Sequence, residues 1–301
     1  MGIDIIIVNY YSKKKLFNVL KSIDESVVNN VQLNVIIINN SPNESLEDLA
    51  SKDELLIINN SANKGFGYAC NQAIPFLKNE FVLLLNPDTI LFNNTLAQSI
   101  EYLQHNNEVT VLGVKHFSEN GIVVPSCSRF PTLRSFFFDS ILLSKVFPKV
   151  FSPLFLMKDW NHLESKFVDQ VMGAYLMIRK SFIDSNGLMD ERYFVFLEDM
   201  DFCKKVWEKG GKVFYNSNIS LVHEGASSTE GVSDKKTAFL MQGKLKYCKK
   251  HFPLYKYLLV VLLVTIVEPF LRFIYMLLFK TRDLGSLIKG YTLFLKQIRL
   301  V

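Results

Sequence analysis

Ile3-Asp-Ile-Ile-Ile-Val-Asn-Tyr10 is an apolar run that stops on two polar residues, and the pattern recurs along the first half of the chain. Leu33–Ile38 stops on Asn39-Asn40, Leu55–Ile58 on Asn59-Asn60, and Phe81–Leu85 on Asn86-Pro-Asp88; a fifth run covers Val109–Val114. Short, continuously apolar runs read as strands buried on both faces. Helix-spaced segments lie between them, near Lys13–Val28, Glu44–Ser51, Gly65–Leu77 and Asn93–Gln104. Strands alternating with helices predict an α/β fold with a mostly parallel central sheet flanked by helices. Ligands of such sheets bind beyond the carboxyl ends of the strands. The Asn and Asp clusters fall there. Any one of them is a common turn former, but four on one rim point to a site.

The 301 residues are enough for one large domain with appendages or for two small ones. With 49% hydrophobic and 21% charged residues, wholesale disorder is excluded. Cys70, Cys127, Cys203 and Cys248 are scattered, with no CxxC or ligand spacing. That argues against a zinc site or a disulfide framework and for a reducing, cytosolic environment. No basic region, apolar stretch and cleavage site precede the first strand, so no signal peptide is expected.

Residues 244–301 hold 11 Lys and Arg against 2 Asp and Glu, a net +9, while the preceding 243 residues carry a net −4. A basic segment that is also strongly apolar fits an anionic membrane surface better than nucleic acid. Tyr257–Phe279 spans 23 residues, enough to cross a bilayer. Glu268, Pro269 and Arg272 interrupt it, and each central charge costs roughly 2.5–3.5 kcal/mol on insertion. Helices lying in the interface are therefore expected, preceded by a basic amphipathic helix at Lys235–Lys250. The chain divides accordingly into a site-bearing domain, 1–233, and a basic, apolar helical tail, 234–301. The tail is expected to be removable from about residue 254 without loss of the site.

Three motifs carry the chemistry. Asn63-Lys-Gly-Phe-Gly-Tyr-Ala-Cys-Asn71 follows the third strand; Asn63 can cap a helix whose start, at Gly65 and Gly67, allows close approach of an anion. It is not GxGxxG after the first strand, which disfavours a Rossmann dinucleotide site. Asn86-Pro-Asp88 ends a buried strand, where a carboxylate can hold Mg²⁺ or Mn²⁺; it also reads as a type I turn. Phe194-Val-Phe-Leu-Glu-Asp-Met-Asp201 delivers Glu198, Asp199 and Asp201 into a helix start, more acids than the dipole requires. Mutual repulsion and partial burial would raise one of them toward a useful base. Residues 115–166 read as an irregular insertion. Val168–Ile178 reads as a strand broken at Gly173-Ala174, and Asp199–Lys209 as a helix stopped by Gly210-Gly211. Lys212–Tyr215 and Ile219–Val222 read as two short strands. His223-Glu-Gly-Ala-Ser227-Ser228 follows the last of these, so His223 is a candidate metal or phosphate ligand. Arg129 is a candidate diphosphate clamp; a surface role is equally consistent with the sequence.

Taken in order, these motifs resemble the inverting family 2 glycosyltransferases of bacteria, the rhamnosyltransferase-like group in particular. The resemblance spans most of residues 3–230 and is carried by Ile5-Ile-Ile-Val-Asn-Tyr10, the Asn63–Asn71 loop, Leu84-Leu-Asn-Pro-Asp88, Arg129-Phe-Pro131, Gly173-Ala174, Phe196–Cys203 and His223-Glu-Gly. It implies the GT-A nucleotide-diphospho-sugar transferase fold and Mg²⁺ or Mn²⁺ as cofactor. By position, Asp199 would be the catalytic base beside Glu198, and Asp88 and His223 would ligate the metal. Asn9, Tyr10, Asn39, Asn40, Asn63, Lys64, Gly65, Phe66, Gly67, Asn71, Asn86, Arg129 and Gly173 would surround the nucleotide-sugar. Two positions depart from the family pattern. Asn86 leaves Asp88 as the only carboxylate of its motif. Asn39-Asn40-Ser41 replaces Asp-Asn-x-Ser, so a pyrimidine N3–H would meet an uncharged amide oxygen. The implied activity moves a sugar with inversion onto a saccharide hydroxyl, lipid-linked and destined for a surface polysaccharide. dTDP-rhamnose is the expected donor. The alternatives are a UDP-sugar donor of hexosyl, N-acetylhexosaminyl or galactofuranosyl type, or a catalytically silent scaffold at the membrane. The expected location is peripheral, on the cytoplasmic face of the cell membrane. Self-association is compatible with this reading, and no nucleic acid partner is expected.

Overall fold

Alternate residues of each central strand pack to opposite sides of one sheet, which is why the runs are apolar nearly throughout. The exceptions in the first two, Asp4 and Asn34, bond each other across neighbouring strands (2.7 Å). The computed structural model describes residues 2–26, 31–49, 55–143, 147, 151, 156–225, 233–279 and 284–298. β1 (Gly2–Asn9) sends Ile3, Ile5 and Ile7 to one face, where α1 (Lys13–Ser26) packs with Leu16, Val19 and Ile23. Ile6 and Val8 point to the other face. β2 (Gln32–Asn39) and β3 (Leu55–Asn59) extend this edge in parallel, with Asn9, Asn39 and Asn59 in register at their carboxyl ends. α2 (Phe66–Gln72) follows, then β4 (Phe81–Leu85) on the other side of β1, also parallel.

Beyond β4 the strand directions mix. β5 (Thr89–Leu91), α3 (Thr95–His105) and β6 (Val111–Phe117) lead into the insertion. The insertion carries the short β7 (Val123–Val124), β8 (Cys127–Ser128), α4 (Leu133–Ser140), β9 (Lys166–Phe167) and β10 (Gln170–Val171). β11 (Tyr175–Arg179) runs antiparallel to both β4 and β6. α5 (Lys180–Asn186) and α6 (Glu198–Glu208) precede β12 (Val213–His223), which is parallel to β6 and antiparallel to β5. The sheet order is β3-β2-β1-β4-β11-β6-β12-β5. The sheet is mostly parallel, as expected, with β11 and β5 running against their neighbours, because an apolar run does not reveal its direction. Two expectations are corrected. The pair of strands near 212–222 is one strand, bulged between Asn216 and Ser220. The helix expected at Glu44–Ser51 is a single 3₁₀ turn, Glu47–Leu49, with Ser51 outside the described residues. Glu44 is instead spent on the rim, its carboxylate accepting from Asn9 (2.7 Å) and its carbonyl from Asn39 (2.8 Å).

The tail is built into the protein. α7 (Ser233–His251), α8 (Leu254–Leu262), α9 (Glu268–Phe279) and α10 (Leu284–Gln297) form a helical layer, with a π-helical turn, Leu263–Val267, joining α8 to α9. Val260, Leu263, Val264, Tyr291 and Phe294 share a third apolar cluster with Phe136, Tyr193, Leu197 and Met200. The division at residue 233 is thus one of sequence character, for the two segments share a core. The expectation that cutting near residue 254 is harmless is corrected for the same reason: it would uncover this cluster. Glu268, fully buried, bonds Lys244 (3.2 Å) and Arg272 (2.8 Å), and Lys244 also bonds Asp139 (3.0 Å). The charges that interrupt the apolar run therefore face the protein. Leu254–Leu278 has the length and hydropathy of a candidate membrane span. Its outer stripe, including Leu258, Leu262, Ile266, Phe270, Phe273 and Leu277, is exposed. All four cysteines are buried and unpaired.

Candidate active site

The strand order reverses at β1, between β2 and β4, and the carboxyl ends of β1 to β4 form one rim. Such a switch point is where open α/β sheets place their ligands. β12 runs in the same sense as β1, so His223 reaches the same rim, with Thr89 of β5 opposite it. Asp88 directly precedes β5. Its Oδ1 lies 3.4 Å from His223 Nε2, and its carbonyl accepts from Glu224 N–H (3.0 Å). Burial pushes the Asp88 carboxyl up, but the His223 ring and the more distant Lys15 outweigh it, so the net shift is downward. The described part of the His223 motif ends at Gly225; Ser227 and Ser228 lie outside the described residues.

Asp199 is joined to the same region through Gly173-Ala174. Its Oδ2 accepts from Gly173 N–H (3.0 Å) and Gln170 Nε2 (3.0 Å), and its Oδ1 from Met200 N–H (2.8 Å). The next carbonyl, Ala174 O, accepts from Asn86 N–H (3.0 Å). Two hydrogen bonds thus connect the candidate base to the strand end that carries Asn86-Pro-Asp88. Burial raises the Asp199 carboxyl; its backbone and Gln170 bonds oppose the rise without cancelling it. Glu198 is more deeply buried, and its Oε2 has no hydrogen-bond partner. Burial and the neighbouring Asp199 charge push Glu198 up to about 8. A carboxyl whose folded-state value is raised stays protonated while the unfolded chain ionises. The folded state then binds more protons between pH about 4.5 and about 8, and stability falls as pH rises through that window. Glu198→Gln is therefore expected to melt at a higher temperature than wild type at pH 8 and at a similar one near pH 4, by calorimetry. A variant no more stable than wild type at pH 8 would count against a protonated Glu198.

The Asn63–Asn71 loop holds the acids from the other side. Gly65 has φ +106°, and a Cβ there would lie 2.5 Å from Phe194 O. Phe66 N–H donates to that same carbonyl (2.8 Å). Asn71 accepts from Met189 N–H (2.9 Å) and donates to Met189 O (3.0 Å). Lys64 stays exposed, over the Tyr68 ring. The helix start expected to face phosphate docks the acid-bearing segment. That segment is strained: Phe196 and Leu197, immediately before Glu198, have φ +71° and +68°. Bulky residues held in this region cost on the order of 1–3 kcal/mol each.

Along the rim, Asn9 Nδ2 donates to Asn39 Oδ1 (3.1 Å), and Asn39 Nδ2 to Asn59 Oδ1 (3.0 Å). Asn40 contacts Asn63 and Gly65 O, both at 3.3 Å. Asn39 Oδ1 also accepts from Ser41 N–H (3.1 Å), so its side chain is fully used in bracing the three strand ends. Tyr10 is half-exposed beside Tyr11. Arg129 forms a two-pronged pair with Asp159, 2.9 Å at each nitrogen. His116 belongs to the site's surroundings and was missed by sequence reasoning. Its buried ring meets that of His223 edge-on at 5.4 Å, with Nδ1 unpartnered. There is little signal for it in the sequence, since His116 follows Lys115, past the end of the apolar run Val109–Val114.

Among the described residues no group of three His, Cys, Asp or Glu side chains could hold a metal ion alone. Asp88 and His223 converge as one carboxylate and one imidazole, a donor pair that fits a divalent ion whose other ligands are phosphate oxygens and water.

A profile of the family described as Glycosyl transferase family 2 matches residues 4–180. The chain is 26% identical over 225 residues to the low-salt glycan biosynthesis hexosyltransferase Agl10 of Haloferax volcanii, covering 73% of this chain and 66% of that one. It is 23% identical over 194 residues to rhamnosyltransferase WbbL of Escherichia coli, covering 61% and 69%. It is 24% identical over 187 residues to the N-acetylglucosaminyl-diphospho-decaprenol L-rhamnosyltransferase of Mycobacterium tuberculosis, covering 56% and 58%. The matches thus span 58% to 69% of these relatives' own lengths. Among solved structures, the mannosyltransferase PcManGT of Pyrobaculum calidifontis, in complex with GDP-Man and Mn²⁺, aligns with a TM-score of 0.55 at 13% identity, covering 98% of this chain and 80% of that one. TarS 1–349 of S. aureus aligns with a TM-score of 0.53 at 15% identity, covering 99% and 91%. These likenesses show the fold, the GT-A architecture.

Proposed function

We infer that this chain, which belongs to glycosyl transferase family 2, moves rhamnose from dTDP-rhamnose, with inversion, onto a hydroxyl of a lipid-linked saccharide. The observation that carries this reading is the connection of Asp199, through Gly173-Ala174, to the strand end bearing Asp88, with His223 beside it. An acid and a candidate metal pair on one rim are what a single displacement at a sugar diphosphate requires. Asp199 takes the proton of the acceptor hydroxyl. The acceptor oxygen forms the new bond to the anomeric carbon as the bond to the diphosphate oxygen breaks, and the electron pair leaves with the nucleoside diphosphate. The carbon passes through an oxocarbenium-like state and inverts, since no enzyme nucleophile intervenes. Asp88 and His223 would hold Mg²⁺ or Mn²⁺, which when bound supplies positive charge to the leaving diphosphate. Glu198, the buried neighbour of Asp199, stays protonated and so leaves the negative charge of the pair on Asp199.

Donor and acceptor rest on the names of relatives, two of which are rhamnosyltransferases and one of which names a diphospho-decaprenol acceptor. The runner-up is a UDP-sugar. The basic tail and the exposed stripe of α8 and α9 support peripheral attachment on the cytoplasmic face of the membrane, where a lipid-linked acceptor is reached. The test uses the full chain in mild detergent with a panel of sugar nucleotides, Mn²⁺ and a polyprenyl-diphosphate saccharide. Transfer from dTDP-rhamnose giving the inverted anomer is expected. Turnover from a UDP-sugar alone would select the runner-up, a retained anomer would overturn the single displacement, and no turnover with any donor would favour a scaffold.

A further inference from the structure

We propose that Lys250 and His251, on the last turn of α7, are positioning residues for the transfer reaction, acting through Asp201 on the turn from which Glu198 and Asp199 project. The inference rests on the role given to Asp199 above. Asp201 is the third acid of its motif, and that role leaves it unused. Its side chain is 2% exposed, and both of its oxygens are taken. Lys250 Nζ bonds Oδ2 at 2.7 Å, while His251 Nε2, at 2.7 Å, and the Tyr193 hydroxyl, at 3.2 Å, bond Oδ1. Asp201 N–H in turn donates to Leu197 O (2.8 Å), closing the first turn of α6 over the strained Phe196-Leu197 pair. Lys250 also holds Asp190 (2.8 Å), at the start of the segment that leads to the acids.

One face of α7 runs along this segment. At Gly243 the helix backbone comes so close that a Cβ would lie 3.0 Å from Phe196 O and 3.1 Å from Leu197 Cδ1. Lys246 Nζ donates to Arg192 O (2.7 Å). Residues 243, 246 and 250 fall on one stripe of a helix, separated by three and four positions. The contacts therefore act together, from the strained pair at one end to Asp201 at the other. Bulky residues with positive φ persist only where their surroundings over-determine them, and α7 supplies much of that constraint. Phe252, Pro253 and the apolar α8 follow His251, so the layer with the exposed apolar stripe and the acid turn share one support.

The test is steady-state kinetics of the full chain with Lys250→Met, Lys250→Arg, His251→Asn and Asp201→Asn, alongside Asp199→Asn. Lys250→Met is expected to lower kcat roughly 10–100-fold while the donor KM moves less than about 3-fold, with Lys250→Arg recovering most of the loss. Lys250→Met combined with Asp201→Asn should cost clearly less than the sum of the two single changes, because both remove the Lys250–Asp201 contact. Thermal unfolding is followed for each variant, and rates are compared well below the melting transition. Unchanged kcat in Lys250→Met and His251→Asn would overturn the proposal. So would a fully additive double variant, or a loss that Lys250→Arg does not relieve. If Asp199→Asn itself retains activity, the base assignment falls first; if Asp199→Asn is inactive and Lys250→Met keeps the wild-type kcat, only the positioning role fails.

Discussion

Asp199→Asn is expected to lower transfer by roughly 10²–10⁴-fold, the usual cost of removing a positioned base, while binding of the donor survives. The side chain keeps its size and one carbonyl oxygen, so it can still accept from Gly173 or from Met200. One of its backbone N–H contacts is lost, which costs about 1–3 kcal/mol of stability if that group is left unpaired. Equilibrium binding of the nucleoside diphosphate separates the two effects, since a folded rim still binds. Retention of more than about a third of the wild-type rate would remove Asp199 from the role of base, because loss of a general base is rarely so mild.

The second large effect concerns Asp88. Asp88→Ala removes the carboxylate beside His223 and leaves the imidazole alone, a poor site for a hard divalent ion. Affinity for the nucleoside diphosphate is expected to fall about 100-fold, a size seen when metal sites are disrupted, and affinity for the bare nucleoside to change little. In wild type, EDTA should abolish transfer, and added Mn²⁺ or Mg²⁺ should restore it. Isothermal titration with nucleoside, monophosphate and diphosphate reads the difference directly. Full activity in EDTA would leave Asp88 as a turn residue.

How far the sequence could be read depends on what each segment does locally. Ile3–Val8 and Phe81–Leu85 were legible because a strand buried on both faces is almost wholly apolar, Asp4 being the one exception in these two runs. The acids of Glu198–Asp201 were legible because charge directly after an apolar run is anomalous. The reversal of β11 was not, since nothing in Tyr175–Arg179 encodes direction. The left-handed pair Phe196-Leu197 had no signal either: Gly or Asn would have announced it, whereas these bulky residues are held there by contacts made far along the chain. The charges in the apolar tail read, from sequence, as obstacles to membrane crossing; the fold pairs them inside the protein. Glu268's partner from outside that helix, Lys244, lies 24 residues upstream, and only the packing of α7 reveals it.

The burial of every thiol has a practical reach. Cys70, Cys127, Cys203 and Cys248 all sit in the interior, and burial in apolar surroundings suppresses the thiolate that reagents attack. The native protein should therefore behave toward maleimides as though it had no cysteine. A cysteine introduced at Leu262 or Phe270 would then be the sole handle for a fluorophore or spin label, with no need to strip the natural ones first. Polarity-sensitive emission from such a probe would report directly how deep that helix lies in a lipid film, and whether a label on the opposite flank of the protein stays in water.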